Sequence, residues 1–185
     1  NPSPASGASI AGTFTTLTWE PGEGATSHRV YLSPNEDEVT AGAETALIAT
    51  TAQPTLFVGV AGQPVPAGLV PGTTYYWRVD EVTADGTVTA GPVWSLTVPP
   101  LTAYAPTPAD DATAVLPDQT LSWQSGLGAV LHTVYFGTDA NAVAQATGGQ
   151  LQTAASYQPQ GLTSDTTYYW RVDEFAGTTT VPGPV

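Results

Sequence analysis

Residues 73–81 read Thr-Thr-Tyr-Tyr-Trp-Arg-Val-Asp-Glu, and the same nine residues recur at 166–174, 93 positions later. An identity of this length within 185 residues indicates an internal repeat. A repeat spacing of roughly 90–100 residues is also the usual size of a small β-domain. The sequence therefore predicts two copies of one module, with domain boundaries at 1–100 and 101–185.

Further matches extend the two copies on the N-terminal side of the nonapeptide. The segment 17–19 (Leu-Thr-Trp) corresponds to 121–123 (Leu-Ser-Trp), and 28–32 corresponds to 132–136, both at an offset of 104 residues. The offset falls to 93 at the nonapeptide, so copy 1 carries 11 extra residues. We assign most of them to its Gly- and Pro-rich stretch 57–68.

Alternating apolar and polar residues predict short strands at 13–20, 28–33 and 75–82. Pro- and Gly-rich turns separate these segments, which favours antiparallel sheets packed as sandwiches. The segments 39–51 and 140–146 are compatible either with a helix or with an irregular turn. The predicted fold class is therefore all-β, with two tandem antiparallel β-sandwiches.

The phase of the nonapeptide divides its side chains between two faces. Tyr75, Trp77 and Val79 share one face of the predicted strand, and Arg78 and Asp80 lie on the other. We predict that the first face points into a sandwich core and that the second faces outward. The same division applies to the second copy.

The second copy differs from the first at its C-terminal end. Copy 1 continues after Gly91-Pro92-Val93 into an alternating segment, Trp94–Val98, whereas the matching Gly-Pro-Val of copy 2 is residues 183–185. The sequence therefore predicts that the second sandwich lacks its last strand within this chain. Two explanations stay open: the chain is a fragment, or a neighbouring subunit supplies the strand.

Composition excludes several function classes. Sixteen acidic residues and three arginines give a formal net charge of −13, which repels nucleic acid and anionic membrane surfaces. The chain has no cysteine and no lysine, which excludes disulfides, thiolate metal sites and lysine Schiff bases. No apolar run approaches the roughly 20 residues that span a bilayer. We expect neither nucleic-acid binding nor membrane insertion, and no cofactor.

The segment Leu69-Val70-Pro71-Gly72-Thr73-Thr74-Tyr75 resembles the corner between strands E and F of a fibronectin type III domain. The resemblance implies that Tyr75, and Tyr168 in copy 2, are tyrosine corners whose hydroxyls bond back to upstream backbone. It implies that Trp19 and Trp123 are core tryptophans of strand B. With Trp77 and Trp170, which strand phase points inward, four core tryptophans are predicted. Copy 2 departs from the pattern with Ser164 and Asp165 in place of Pro and Gly.

Together with Val-Tyr-Phe-Gly-Thr-Asp at 134–139, this pattern is similar to tandem modules of large secreted or surface proteins of environmental bacteria. The resemblance implies a non-catalytic role and an extracellular or cell-surface location. Neighbouring domains or subunits of the same protein are the implied partners.

Three kinds of candidate site remain. A surface binding face for glycans would use outward aromatic and arginine side chains, namely Tyr31, Tyr76, Arg78, Tyr135, Tyr169 and Arg171. The alternative is structural: each arginine lies over a tyrosine ring of the neighbouring strand, flanked by Asp80 or Asp173, as a cross-strand ladder. The acidic run Glu36, Asp37 and Glu38 is a calcium candidate, since Ca²⁺ takes carboxylate oxygens. His28 and His132 share the inward phase of their strands, which favours burial over metal binding.

Two functions follow from these observations. The first is a structural or interaction module that spaces or assembles surface structures, including a filament subunit completed by strand addition. The alternative is an accessory carbohydrate-binding or spacer module of a secreted carbohydrate-active enzyme. No arrangement of reactive side chains predicts an enzyme.

Overall fold

The computed structural model describes all 185 residues, Asn1–Val185. It divides into two compact units, Asn1–Pro99 and Pro100–Val185. None of its helices has the length and apolar character that crossing a membrane would require. It stays a prediction that residues 1–100 and 101–185 are two domains, each of which folds on its own.

Unit 1 consists of eight strands and one short helix. In chain order these are β1 (Ala8–Ser9), β2 (Thr15–Thr18), β3 (Ala25–Ser33), α1 (Glu36–Ala41), β4 (Leu47–Thr51), β5 (Thr55–Val58), β6 (Thr74–Thr83), β7 (Val88–Thr89) and β8 (Trp94–Thr97).

Two sheets make up unit 1. The larger has the order β1-β8-β6-β3-β4, with β7 also paired to β6, and the smaller is β2-β5. Every pairing is antiparallel except that of β1 with β8, where Ala8 lies opposite Leu96 and Ser9 opposite Thr97. The N-terminal segment therefore contacts both sheets, because Ser3 also bridges to Thr18 of β2.

The core of unit 1 is formed by apolar side chains from both sheets. Leu17 of β2, Val30 of β3, Trp77 of β6 and Leu96 of β8 are all fully buried. Within β6, the buried apolar residues Tyr75, Trp77 and Val79 occupy alternate positions, as the pleat of a β-sheet requires. A second, smaller cluster lies on the opposite face of the large sheet under α1 and includes Tyr31 and Val39.

Unit 2 repeats most of this arrangement with seven strands and one helix. They are β9 (Tyr104–Thr107), β10 (Leu121–Gln124), β11 (Leu131–Gly137), α2 (Ala140–Gln145), β12 (Gln150–Gln152), β13 (Ser156–Tyr157), β14 (Tyr169–Phe175) and β15 (Thr180–Val181). The sheets have the orders β13-β10-β9 and β12-β11-β14-β15. Trp123, Val134 and Val172 form the buried centre.

The all-β prediction is confirmed, and the strands at 13–20, 28–33 and 75–82 correspond to β2, β3 and β6. The helical alternative for 39–51 is wrong over most of its length. The helix spans Glu36–Ala41 and ends at Gly42, whose left-handed backbone (φ 64°) stops it, and Leu47–Thr51 is a strand. The helix of unit 2, at Ala140–Gln145, agrees with the segment 140–146.

The predicted absence of a last strand in unit 2 needs one refinement. The strand β15 corresponds to β7 of unit 1 and pairs with β14 at Glu174 and Phe175. The counterpart of β8 is the part that unit 2 does not have. One side of β14 is therefore paired only at its C-terminal end.

Candidate functional site

Arg171 is the centre of a buried polar cluster in unit 2. It extends from β14 across the outer face of the sheet to the C-terminal end of α2, where its guanidinium donates to the carbonyl oxygens of Val143, Ala144 and Ala146. On its other side it forms a two-point ion pair with Asp173, at 2.8 Å and 3.1 Å. The arginine thereby satisfies carbonyls that a short helix leaves without partners.

Unit 1 contains the same arrangement with a different helix end. Arg78 donates to the carbonyl oxygen of Thr40 at 2.6 Å and pairs with Asp80 at 2.8 Å. Here Gly42 caps the helix, and its N–H donates to the carbonyl oxygen of Val39. The helix α2 ends at Ala146 without a left-handed residue, and Arg171 bonds two carbonyls more than Arg78 does, those of Val143 and Ala146.

The arginines lie over tyrosine rings in both units. The guanidinium carbon of Arg78 lies 5.0 Å from the ring centre of Tyr31, and that of Arg171 lies 4.1 Å from the ring centre of Tyr135. Both arginines and both tyrosines are buried. Each cluster is therefore a cation–π contact, an ion pair and a helix cap combined, held away from solvent.

This burial corrects the predicted surface binding face. The sheet faces that carry Tyr31, Arg78, Tyr135 and Arg171 do point away from the sandwich core, but α1 and α2 cover them. Sequence phase alone could not show that a six-residue helix lies on this face. Of the predicted residues, Tyr76 is partly buried and Tyr169 is exposed.

A second buried cluster joins a histidine, a glutamate and a tryptophan in each unit. In unit 1, His28 Nδ1 lies 2.6 Å from a carboxylate oxygen of Glu81, and the imidazole meets the Trp19 ring edge to face at 5.3 Å. His28 is 2% exposed, in agreement with the burial that its inward phase predicts.

Unit 2 repeats the cluster with His132, Glu174 and Trp123, whose ring centre lies 5.5 Å from that of the histidine. Glu174 is fully buried, and its second oxygen accepts the Gly126 N–H at 3.0 Å. The glutamates were missed at the sequence level. The signal was available, because Glu81 shares the inward phase of Trp77 and Val79 and is the last residue of the repeated nonapeptide.

Two tyrosine hydroxyls bond back along the chain. The Tyr75 oxygen accepts the N–H of Val70 at 3.1 Å, and that of Tyr168 accepts the N–H of Thr163 at 3.0 Å. The hydrogen bond between the Thr163 side chain and the Tyr168 hydroxyl is the main cause that lowers the pKa of Tyr168. Both tyrosines tie the loop that precedes their strand to its first residues.

The four predicted core tryptophans occupy different environments in the two units. Trp19, Trp77 and Trp123 are buried, whereas Trp170 is partly exposed. Trp77 is covered by Trp94 of β8, with ring centres 4.7 Å apart. The corresponding cover is missing at Trp170, which instead contacts only Trp123 among the aromatic rings, at 5.9 Å.

The calcium candidates Glu36, Asp37 and Glu38 serve the helix that they begin. These residues make the first turn of α1, where Asn35 caps the helix and negative charge is favourable. Glu38 accepts a hydrogen bond from the Ser33 hydroxyl at 2.8 Å. The structure contains no group of three or more His, Asp or Glu side chains placed to share a metal ion.

No protein-family model and no curated protein matches the sequence. Among solved structures, the chain is similar to the FN1–FN3 domains of chicken CNTN1, with 18% identity over 100% of this chain and 64% of that chain, under two thirds of its length. It is also similar to the fibronectin(III)-like modules of Clostridium thermocellum CbhA, with 13% identity over 97% of this chain and 87% of that chain. Since both TM-scores are 0.37, the description of the fold rests on the strand order and register of the chain itself.

Proposed function

We propose that this chain is a non-catalytic structural module of an extracellular repetitive protein, in which it spaces or assembles neighbouring domains. The observation that carries the proposal is that the repeated charged residues make their contacts within their own module. Arg78 and Arg171 each brace a helix against a sheet, and His28 and His132 each pair with a glutamate beside a core tryptophan. In both copies, these groups stabilise the module itself.

The distribution of charge supports the same role. The buried acids are paired, the other acidic side chains are partly or fully exposed, and the chain as a whole has a formal net charge of −13. A strongly negative surface keeps a protein soluble and limits its association with other acidic surfaces. These are useful properties for a spacer that is repeated many times.

Glycan binding, the main alternative, loses its principal support from the burial of Tyr31 and Tyr135. A platform for sugar rings requires aromatic faces that solvent can reach. Tyr76 and Tyr169 keep some exposed surface, so glycan binding stays a prediction that concerns these two side chains alone. A glycan array with Tyr76→Ala and Tyr169→Ala as controls tests it directly.

A spacer should unfold in independent steps when it is stretched. Single-molecule pulling on the chain, held at both ends, should give two unfolding events, each lengthening the chain by about 300 Å, since an extended residue spans about 3.5 Å. A single event that releases the whole chain, or saturable glycan binding that Tyr76→Ala abolishes, would contradict the proposal.

A further inference from the structure

The outer face of the small sheet of unit 1 carries two exposed phenylalanine rings. Phe57 of β5 lies directly opposite Thr16 of β2, and Phe14 precedes β2 in the same phase as Thr16. Phe14 is 54% exposed and Phe57 is 38% exposed, and the two rings meet edge to face with their centres 5.9 Å apart. The opposite face of β2 supplies the buried Leu17 to the core, so the rings point away from it.

The backbone that carries Phe14 is fixed by the segment between β5 and β6. The N–H of Leu69 donates to the carbonyl oxygen of Thr13 at 2.7 Å. A Cβ on Gly59, whose φ is 89°, would lie 2.4 Å from the same oxygen and 2.8 Å from the Cα of Phe14. Only a residue without a side chain fits so close to this backbone. The exposed ring of Phe14 therefore projects from backbone that is packed on its other side.

Unit 2 has polar side chains at the two equivalent positions. The pairing of β10 with β13 matches that of β2 with β5, so Asp118 corresponds to Phe14 and Gln158 to Phe57. The Gln158 side chain donates to the Asp118 carbonyl oxygen at 3.1 Å and accepts from the Thr120 hydroxyl. The fold thus accommodates polar residues at both positions, and the aromatic pair is not a requirement of the fold.

The segments that build this face lack charged side chains, although the chain has a formal net charge of −13. Residues 2–19, which include β2, and residues 45–77, which include β5, contain no Asp, Glu, Arg, Lys or His. The segment of unit 2 that corresponds to the first of these contains Asp110, Asp111 and Asp118. The Phe14–Phe57 face therefore presents no side-chain charge of its own.

These properties distinguish between the partners that such a face could take. A platform for sugar rings requires open aromatic faces and polar side chains that bond hydroxyl groups. The rings of Phe14 and Phe57 stand at 82° to each other, and the other outward residues of β2 and β5 are threonines. A charged partner would find no opposite charge on this face. Two copies of this chain repel through their acidic side chains, and that repulsion is smallest where both surfaces lack charge.

We propose that the Phe14–Phe57 face is a self-association surface at which two copies of this chain meet. A two-fold axis brings the same patch of each copy together, so the absence of charge is matched on both sides. The rings of one copy pack against those of the other and against an adjoining groove of about 440 Å³, which Phe14, Ile10 and Pro4 help to line. Exposed apolar patches mark interfaces, and aromatic anchors carry much of the binding energy.

The association can be measured on the unmodified chain by sedimentation equilibrium from about 10 µM to about 1 mM. We expect a monomer–dimer equilibrium that strengthens when salt is raised from about 0.05 M to about 0.5 M, because screening weakens the repulsion between acidic copies. Amide NMR signals of residues 14–18 and 55–58 should shift with protein concentration. Those of β10 and β13, the equivalent strands of unit 2, should not.

The variant Phe14→Asp/Phe57→Gln places the residues of unit 2 in unit 1 and should lower the association constant by at least about tenfold. Phe57→Gln alone adds no charge, so it separates the loss of a ring from added repulsion, and it should also weaken association. The control is Leu151→Gln, which removes an apolar side chain of 63% exposure from unit 2 and should leave association unchanged. The indole N–H signal of the buried Trp77 reports that unit 1 stays folded.

A chain that stays monomeric over the whole range would overturn the proposal, as would a dimer that Phe57→Gln leaves intact or that salt dissociates. Cellohexaose, a neutral oligosaccharide, tests the other class of partner. Shifts of residues 14–18 and 55–58 with cellohexaose, without any dependence on protein concentration, would assign the face to sugars and equally overturn the proposal. The spacer role stands or falls separately, because the pulling experiment that tests it uses single chains.

Discussion

At the scale of single residues, the repeated charged side chains hold each module together by buried contacts. Arg171 is the most connected of them, since one guanidinium meets three helix carbonyls, a carboxylate and a tyrosine ring. A lysine could not replace it, because an ammonium lacks the planar fork that reaches several acceptors at once. The arginine is therefore a structural residue rather than a surface ligand, the two alternatives that its strand phase left open.

Arg171→Ala should destabilise unit 2 by about 3–5 kcal/mol, because it leaves the buried Asp173 without its counter-charge. Chemical denaturation followed by the resolved indole N–H signals of Trp123 and Trp170 in NMR spectra measures the change. Arg29 of β3 is exposed, so Arg29→Ala is a matched control that should change stability by less than about 0.5 kcal/mol. Equal effects of the two substitutions would contradict the assigned role of Arg171.

Asp85, in the turn between β6 and β7, has a pKa of about 2, below its usual value of 3.8. The main cause is the Thr83 hydroxyl, which donates to its carboxylate at 2.5 Å, followed by the Thr87 N–H at 3.0 Å. Because the folded pKa is depressed, the contribution to stability is present above about pH 4 and is lost as the pH falls towards 2.

Thr83→Val removes the hydroxyl donor and should raise the pKa of Asp85 towards 3.8. Carboxyl carbon NMR chemical shifts followed from pH 1.5 to 6 measure it. Thr89→Val serves as the control, since Thr89 lies on the neighbouring strand of the same hairpin and makes no side-chain hydrogen bond to Asp85. An unchanged pKa in the Thr83 variant would show that the hydroxyl is not the cause.

At the scale of elements, the two short helices decide which sheet face is buried. Each contributes one buried valine, Val39 or Val143, and its C-terminal end meets the arginine from the sheet. Helices of six residues have little stability of their own, so packing against the sheet has to hold them. The cap at Gly42 is the point where helix end and arginine meet in unit 1.

Gly42→Ala should destabilise unit 1 for two reasons. The left-handed backbone costs a residue with a Cβ about 1–2 kcal/mol, and the added Cβ would lie 2.3 Å from an Arg78 nitrogen. Gly62 is also left-handed (φ 81°) but has nothing within 4 Å, so Gly62→Ala measures the backbone cost alone. Denaturation should show the larger loss for Gly42→Ala, and equal losses would mean that Arg78 moves aside at no cost.

At the scale of the whole chain, the sequence predicted the repeat, the all-β class and which side chains of β6 and β14 point into the core. These features follow from local periodicity, which the repeated nonapeptide carries twice. The burial of Tyr31 and Arg78 was not predictable in this way, because it depends on where α1 lies over the sheet. Strand phase identifies a face but does not identify what covers that face.

The central claim is that one module occurs twice, closed by β8 in unit 1 and open at β14 in unit 2. The identical residues 73–81 and 166–174 make a direct comparison possible, because identical sequences have the same intrinsic amide exchange rates. The most direct measurement is residue-resolved hydrogen exchange by NMR on the unmodified chain. We predict that Tyr75 and Trp77, whose N–H groups face β8, are protected at least about tenfold more strongly than Tyr168 and Trp170. Equal protection of the two pairs would contradict the claim.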